Sequence, residues 1–237
     1  MLPGRNDKVD IDAKEVYRYL GYRGTRPEEA VVKRVDECIA ELVQVSELRS
    51  RMMRFDLKTG ENSETGRAEE ISIGGISITS GDLARHLEGC VEVYIFGATI
   101  GVGVDRLIAK ATVGDVLAAA IYQAAGAAYI ESYCDLIQEE VQEKAREGGR
   151  TIVSRFSPGY GDLKIGEQRK FFDLLDLTRQ TGIALTDGML MMPSKSVTAI
   201  IGVRCEAASD GDTEKGRGDR GHDCSLCGLE NCQFRKI

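Results

Sequence analysis

Histidine is scarce in this chain of 237 residues, which holds two, His86 and His222. That scarcity excludes a histidine-rich metal centre and leaves few candidates for imidazole acid–base chemistry. The 31 Lys and Arg are outnumbered by 38 Asp and Glu, giving a formal charge of −7, and the basic residues nowhere gather into a patch. Phosphate neutralisation needs such a patch, so nucleic acid is excluded as a partner, whereas an acidic surface is compatible with a cationic small molecule. No apolar run approaches the length of a membrane span, and the opening Met1-Leu-Pro-Gly-Arg-Asn-Asp lacks the charged-then-apolar order of a signal peptide. A cytoplasmic protein without membrane contact is expected. A break in composition is also missing before residue 206, and a hydrophobic fraction of 42% is enough for a sizeable core. One domain over residues 1–205 is therefore expected, followed by a linker and tail over 206–237.

The periodicity predicts an α+β fold. Val16, Tyr17 and Leu20 recur at helical spacing from Asp10 or Asp12 onward, with Gly21 placed to end that helix. A second helix opens at Pro27 and continues toward Phe55, with Val31, Val35, Ile39, Leu42 and Val45 as its buried stripe. Lys58–Glu69 reads as an exposed loop. Ile71-Ser-Ile-Gly-Gly-Ile-Ser-Ile78 alternates strictly, and Gly74-Gly75 supplies a two-residue hairpin turn. Ser80 caps a short helix containing His86, a residue assigned to the surface or an interface and given no role. Val91–Gly97 is a strand leading through Gly101 and Gly103 into a helix. The third glycine of a dinucleotide fingerprint and the Gly-Lys-Ser/Thr of a P-loop are absent, so tight packing explains these glycines better than a phosphate cradle. The longest helix runs from about Val113 to Lys144, rich in small residues, and Gly148-Gly149 ends it. A helix over Gly166–Leu175 follows, then a hairpin turning at Asp187-Gly188 between Ile183–Thr186 and Met189–Met192, whose methionines are expected to fill the core. A last strand over Lys195–Val203 is expected inside the sheet, apolar on both faces.

Between the β-branched run Thr151-Ile-Val153 and the helix near Ile165 lies Arg155-Phe-Ser-Pro-Gly-Tyr160. Pro158 fixes its own φ and biases Ser157 toward an extended shape, while Gly159 is free to take a positive φ. This stiff turn carries a guanidinium, which grips a carboxylate through parallel hydrogen bonds, and a phenol whose ring face attracts cations. A ligand bearing both a carboxylate and a positive charge suits the pair. The competing structural role is Arg155 capping a carbonyl and Tyr160 packing on the core.

The same run, with Phe171-Phe-Asp-Leu-Leu175, Gly182-Ile-Ala-Leu-Thr-Asp-Gly-Met-Leu-Met-Met-Pro193 and Lys195-Ser-Val-Thr-Ala-Ile-Ile-Gly202, resembles the activation domain of cobalamin-dependent methionine synthase. The resemblance implies that domain's α+β fold, an antiparallel-rich sheet flanked by helices including one long central helix. It further implies that Arg155, Phe156, Ser157, Pro158, Gly159 and Tyr160 bind S-adenosylmethionine, in a protein that supports reductive methylation of cob(II)alamin. No Asp-x-His-x-x-Gly sequence is present to supply a lower ligand to cobalt. Cobalamin is thus expected on a partner, a corrinoid protein or a methionine synthase lacking its own activation domain, with a flavodoxin or ferredoxin-type electron donor. The polypeptide is then not catalytic alone.

Four of the seven cysteines, Cys38, Cys90, Cys134 and Cys205, are dispersed, which does not describe a disulfide scaffold. Cys224, Cys227 and Cys232 crowd the tail, and the first pair has the spacing for two sulfurs on one zinc or iron–sulfur centre. Either a fourth ligand completes such a site, from His222, Cys205 or a partner, or the tail carries free thiols. Two other functions stay open: an independent S-adenosylmethionine-dependent methyltransferase, and a redox protein organised by the tail.

Overall fold

The computed structural model describes residues 9–22, 24–25, 27–61 and 68–205. The Cys224, Cys227 and Cys232 tail and the expected linker lie outside these residues. The chain traces two compact units, one from residues up to Arg51, Gly97–Leu136 and Leu177–Val197, the other from Met52–Phe96, Ile137–Asp176 and Thr198 onward.

Helices dominate the first unit. Helix α1 (Ala13–Tyr19) starts where the Asp12 carboxylate accepts the Lys14 N–H and ends before Gly21, at φ 91°. Helix α2 (Glu29–Val45) buries Val35, Cys38 and Leu42 on one stripe and stops at Ser46, whose hydroxyl donates to the Leu42 carbonyl at 2.6 Å. Helices α4 (Val102–Gly114) and α5 (Val116–Glu147) are separate. The long helix therefore begins at Val116, and the expected start at Val113 is corrected. The cause is Asp115, whose carboxylate accepts the Ala118 N–H at 2.9 Å and the Arg34 guanidinium at 2.6 Å. Both contacts, the backbone one first, hold its carboxyl below the usual range. Along α5 the small residues Ala118, Ala119, Ala124, Ala125 and Ala128 are buried. The Lys195 stem lies against Gly126, where a Cβ would come within 3.1 Å of its Cε, and burial there lowers the lysine pKa against the opposing effect of Asp105.

Helix α7 (Leu177–Thr181), not anticipated from the sequence, precedes the hairpin of β6 (Ala184–Leu185) and β7 (Met191–Met192). The hairpin turns at Asp187-Gly188 as expected, but the left-handed residue is Met189, at φ 61°, closed by its N–H on the Thr186 carbonyl at 3.0 Å. Met189 and Met191 are half-buried and Met192 is exposed, so these methionines do not fill the core as expected.

The second unit carries most of a six-stranded sheet of order β3-β2-β1-β4-β8-β5, formed by β1 (Arg49–Glu61), β2 (Ala68–Ile73), β3 (Ile76–Thr79), β4 (Cys90–Thr99), β5 (Arg150–Ile152) and β8 (Ser196–Cys205). The β1/β2, β2/β3 and β5/β8 pairs are antiparallel. The expected continuation of α2 to Phe55 is overturned, because half-buried Met53, Phe55 and Leu57 alternate with exposed Arg54, Asp56 and Lys58, the period of a strand. Much of the expected loop Lys58–Glu69 is likewise strand at both ends. Gly74 and Gly75, at φ 57° and 87°, turn β2 into β3 with Ile73 opposite Ile76. Strand β8 lies between β4 and β5, buried on both faces from Thr198 to Val203. Helix α3 (Gly81–His86) follows β3, and α6 (Gln168–Leu175) buries Phe171, Phe172 and Leu175. The architecture is α+β with an antiparallel sheet and one long helix. Among the described residues no helix is long and apolar enough to cross a membrane, and no group of His, Cys, Asp and Glu could hold a metal ion.

Candidate functional site

Strand β5 pairs with β8 so that Ile152 faces Val203, yet Phe156 bridges Ile200, its N–H and carbonyl both bonded there at 2.9 and 2.8 Å. The sum of paired numbers rises from 355 to 356, so one extra residue lies in the run between them. This is a β-bulge, and bulges re-aim a side chain at a strand end. The residue it re-aims is Arg155, buried at 6% exposure, whose Nη1 donates to the Gln138 Oε1 of α5 at 3.4 Å.

After the bulge the chain turns twice. The Tyr160 N–H bonds to the Ser157 carbonyl at 3.1 Å, with Pro158 second and Gly159 third at φ 98°, the type II arrangement. A second turn bonds the Leu163 N–H to the Tyr160 carbonyl at 3.0 Å, and the Gly159 N–H reaches the Leu163 carbonyl at 2.8 Å. Buried Leu163 anchors the pair, while Gly159 and Tyr160 stay exposed, the latter at 39%. The Phe156 and Tyr160 rings meet edge-to-face at 6.3 Å. Thus Arg155, Ser157 and Pro158 are buried, Phe156 is half-buried, and the tip is open.

Three residues around this segment escaped sequence reasoning. His86 Nε2 lies 2.7 Å from the Ser154 carbonyl and its ring is 5.1 Å from Phe156. A carbonyl can only accept, so that nitrogen carries the hydrogen. Asp162 caps α3: its carboxylate takes the Ser80 hydroxyl and the Gly81 and Asp82 N–H groups at 2.8 and 3.2 Å, and Asp82 returns a bond to the Asp162 N–H at 2.9 Å. Partial burial pushes the Asp162 carboxyl upward, but these donors outweigh it and hold it below the ordinary range. Gln138 stands 17 positions before Arg155, inside a long helix, where no local pattern marks it. For Asp162 the available signal was an acidic residue following a Gly-Tyr-Gly turn.

The chemistry of the segment fits an amino-acid-bearing cation. A guanidinium offers paired donors to a carboxylate, and the Phe156 and Tyr160 rings offer faces to a positive centre. An open cavity of about 540 Å³, lined by Arg54, Phe55, Asp56, Lys58, Ser72, Gly74 and Gly75, shares no residue with the turn. The chemistry of its lining, a strand face and its hairpin turn, does not converge on a ligand.

A family model described as vitamin B12 dependent methionine synthase, activation domain, matches residues 88–209. The fold is similar to a crystal structure of the MetH reactivation domain bound to AdoHcy, at a TM-score of 0.60 and 16% identity, covering 84% of this chain and 75% of that one. No curated protein matches the chain.

Proposed function

The chain belongs to the family of vitamin B12 dependent methionine synthase activation domains, and from that premise we propose that it binds S-adenosylmethionine at Arg155–Tyr160 as a reactivation subunit. Its client is a corrinoid protein or a methionine synthase on a separate chain, which holds the cobalamin; a flavodoxin or ferredoxin-type protein supplies the electron. The observation that carries this reading is a bulged arginine followed at once by a type II turn that ends on a tyrosine. Arg155 takes the methionyl carboxylate, the Phe156 and Tyr160 rings flank the sulfonium, and the backbone of Ser157, Pro158 and Gly159 sets the approach. When bound, S-adenosylmethionine supplies an activated methyl group; the polypeptide binds and orients it and works in the cytoplasm without catalysing a reaction alone.

An independent methyltransferase of the parallel α/β type is disfavoured by the antiparallel pairing of β1/β2, β2/β3 and β5/β8. Calorimetric titration with S-adenosylmethionine tests the proposal. Wild type should bind one ligand per chain, and Arg155→Ala should lose about 2 kcal/mol or more of binding energy, roughly 30-fold in Kd. Equal affinity in the variant removes the role of Arg155, and absence of binding by wild type removes the function.

A further inference from the structure

Helix α3 grips the Arg155–Tyr160 segment on both flanks. Downstream, its first residues bond to Asp162 through Ser80, Gly81 and Asp82. Upstream, its last residue, His86, donates to the Ser154 carbonyl at 2.7 Å and rests on the Phe156 ring. The helix end is pressed onto the strand by a missing side chain: a Cβ at Gly202 of β8 would lie 2.7 Å from Leu87 Cδ2 and 2.9 Å from Val153 Cγ2. The paired glycine and leucine bring His86 within reach of the bulge.

We propose that His86 is a positioning residue for ligand recognition, fixing the bulge from which the Arg155 side chain leaves the strand. This rests on the assignment of the turn as the S-adenosylmethionine site. A bulge leaves part of one strand outside the ladder, and a carbonyl there needs a donor. The His86 Nε2–H satisfies Ser154, while the ring supports Phe156, the next residue paired to β8. Because side chains alternate along a strand, a slip of one residue at 153–156 would turn Arg155 to the opposite face. His86 holds that register locally and so acts on the ligand through Arg155.

A double-mutant cycle in the full chain tests this, with affinities for S-adenosylmethionine and for 5′-methylthioadenosine, which lacks the amino-acid moiety. His86→Phe keeps a ring against Phe156 but removes the donor, and should weaken S-adenosylmethionine binding about 5- to 10-fold. His86→Gln, which restores an N–H at comparable reach, should recover most of the loss. In an Arg155→Ala background His86→Phe should change the affinity less than about twofold, and 5′-methylthioadenosine binding should be equally insensitive. If His86→Phe does not fold, His86→Asn, too short to reach the carbonyl, takes its place with the same expectations. Wild-type affinity in the donor-deficient variant, or an equal loss with and without Arg155, overturns the inference and leaves the turn's assignment standing. Failure of wild type to bind S-adenosylmethionine overturns both.

Discussion

Two strand-to-helix connections in this molecule are built around glycines, and they do opposite things with them. From Gly97 near the end of β4, through Gly101, to Gly103 at the start of α4, every glycine is closed over by its neighbours. A Cβ on Gly97 would lie 2.6 Å from Leu177 Cδ2, and one on Gly103 would lie 2.1 Å from the Val45 carbonyl oxygen. Gly101, at φ 89°, faces Glu47 at 3.0 Å. The connection after β5 is closed only at its base. Gly161, at φ 52°, is filled by Asp82, whereas Gly159, at φ 98°, meets Ile165 Cδ1 alone, at 3.3 Å, and is exposed. Glycine between strand and helix is therefore a weak sign of a ligand site. What separates the two connections is whether the space a side chain would occupy already belongs to another part of the protein.

The largest expected effect tests the closed connection. Gly103→Ala drives a methyl into a backbone oxygen that cannot rotate away, and urea unfolding should show a loss of about 3 kcal/mol or more. A neutral result would break the contrast. Gly161→Ala, strained by its positive φ and by Asp82, should cost about 1–2 kcal/mol in the same assay. Gly159→Ala should cost about 1 kcal/mol of stability from φ alone, yet on the proposed ligand role of the open tip it should weaken S-adenosylmethionine binding by more than that figure. Equal losses in stability and binding would place Gly159 with the structural glycines. The smallest effect concerns Asp162. Its folded-state pKa is depressed, so its contribution is present above the ordinary carboxylate pKa and is lost as pH falls through the folded value. Melting temperatures from about pH 6 to about pH 3 should fall less steeply for Asp162→Asn than for wild type. Parallel profiles would show that the carboxylate does not clamp α3 to the turn.

Much of this was legible in the sequence. Gly74-Gly75 announced its hairpin because both residues need positive φ, and Ser80 announced α3 because an N-cap is a local signal. The apolar run of β8 told of its interior position. The boundary between α2 and β1 was hidden because Val45, Met52, Met53 and Phe55 continue an apolar pattern across Ser46; the Met53–Lys58 alternation was the signal that could have divided them. In the candidate site, residue chemistry and family resemblance singled out Arg155 and Tyr160, but not that one is buried and the other exposed. That difference comes from a bulge, which exists only relative to the register of β8, 44 positions further on. His86 and Gln138 reach the segment from 68 and 17 residues away, so only the folded chain assembles them.

The proposed site depends most on the buried Arg155 guanidinium as the reader of a ligand carboxylate. The direct measurement compares Arg155→Ala with wild type by calorimetry, using S-adenosylmethionine and 5′-methylthioadenosine in parallel. A loss of roughly 30-fold for the first and less than about threefold for the second is predicted. Equal losses for both ligands would mean that Arg155 supports the fold of the turn and does not recognise the carboxylate.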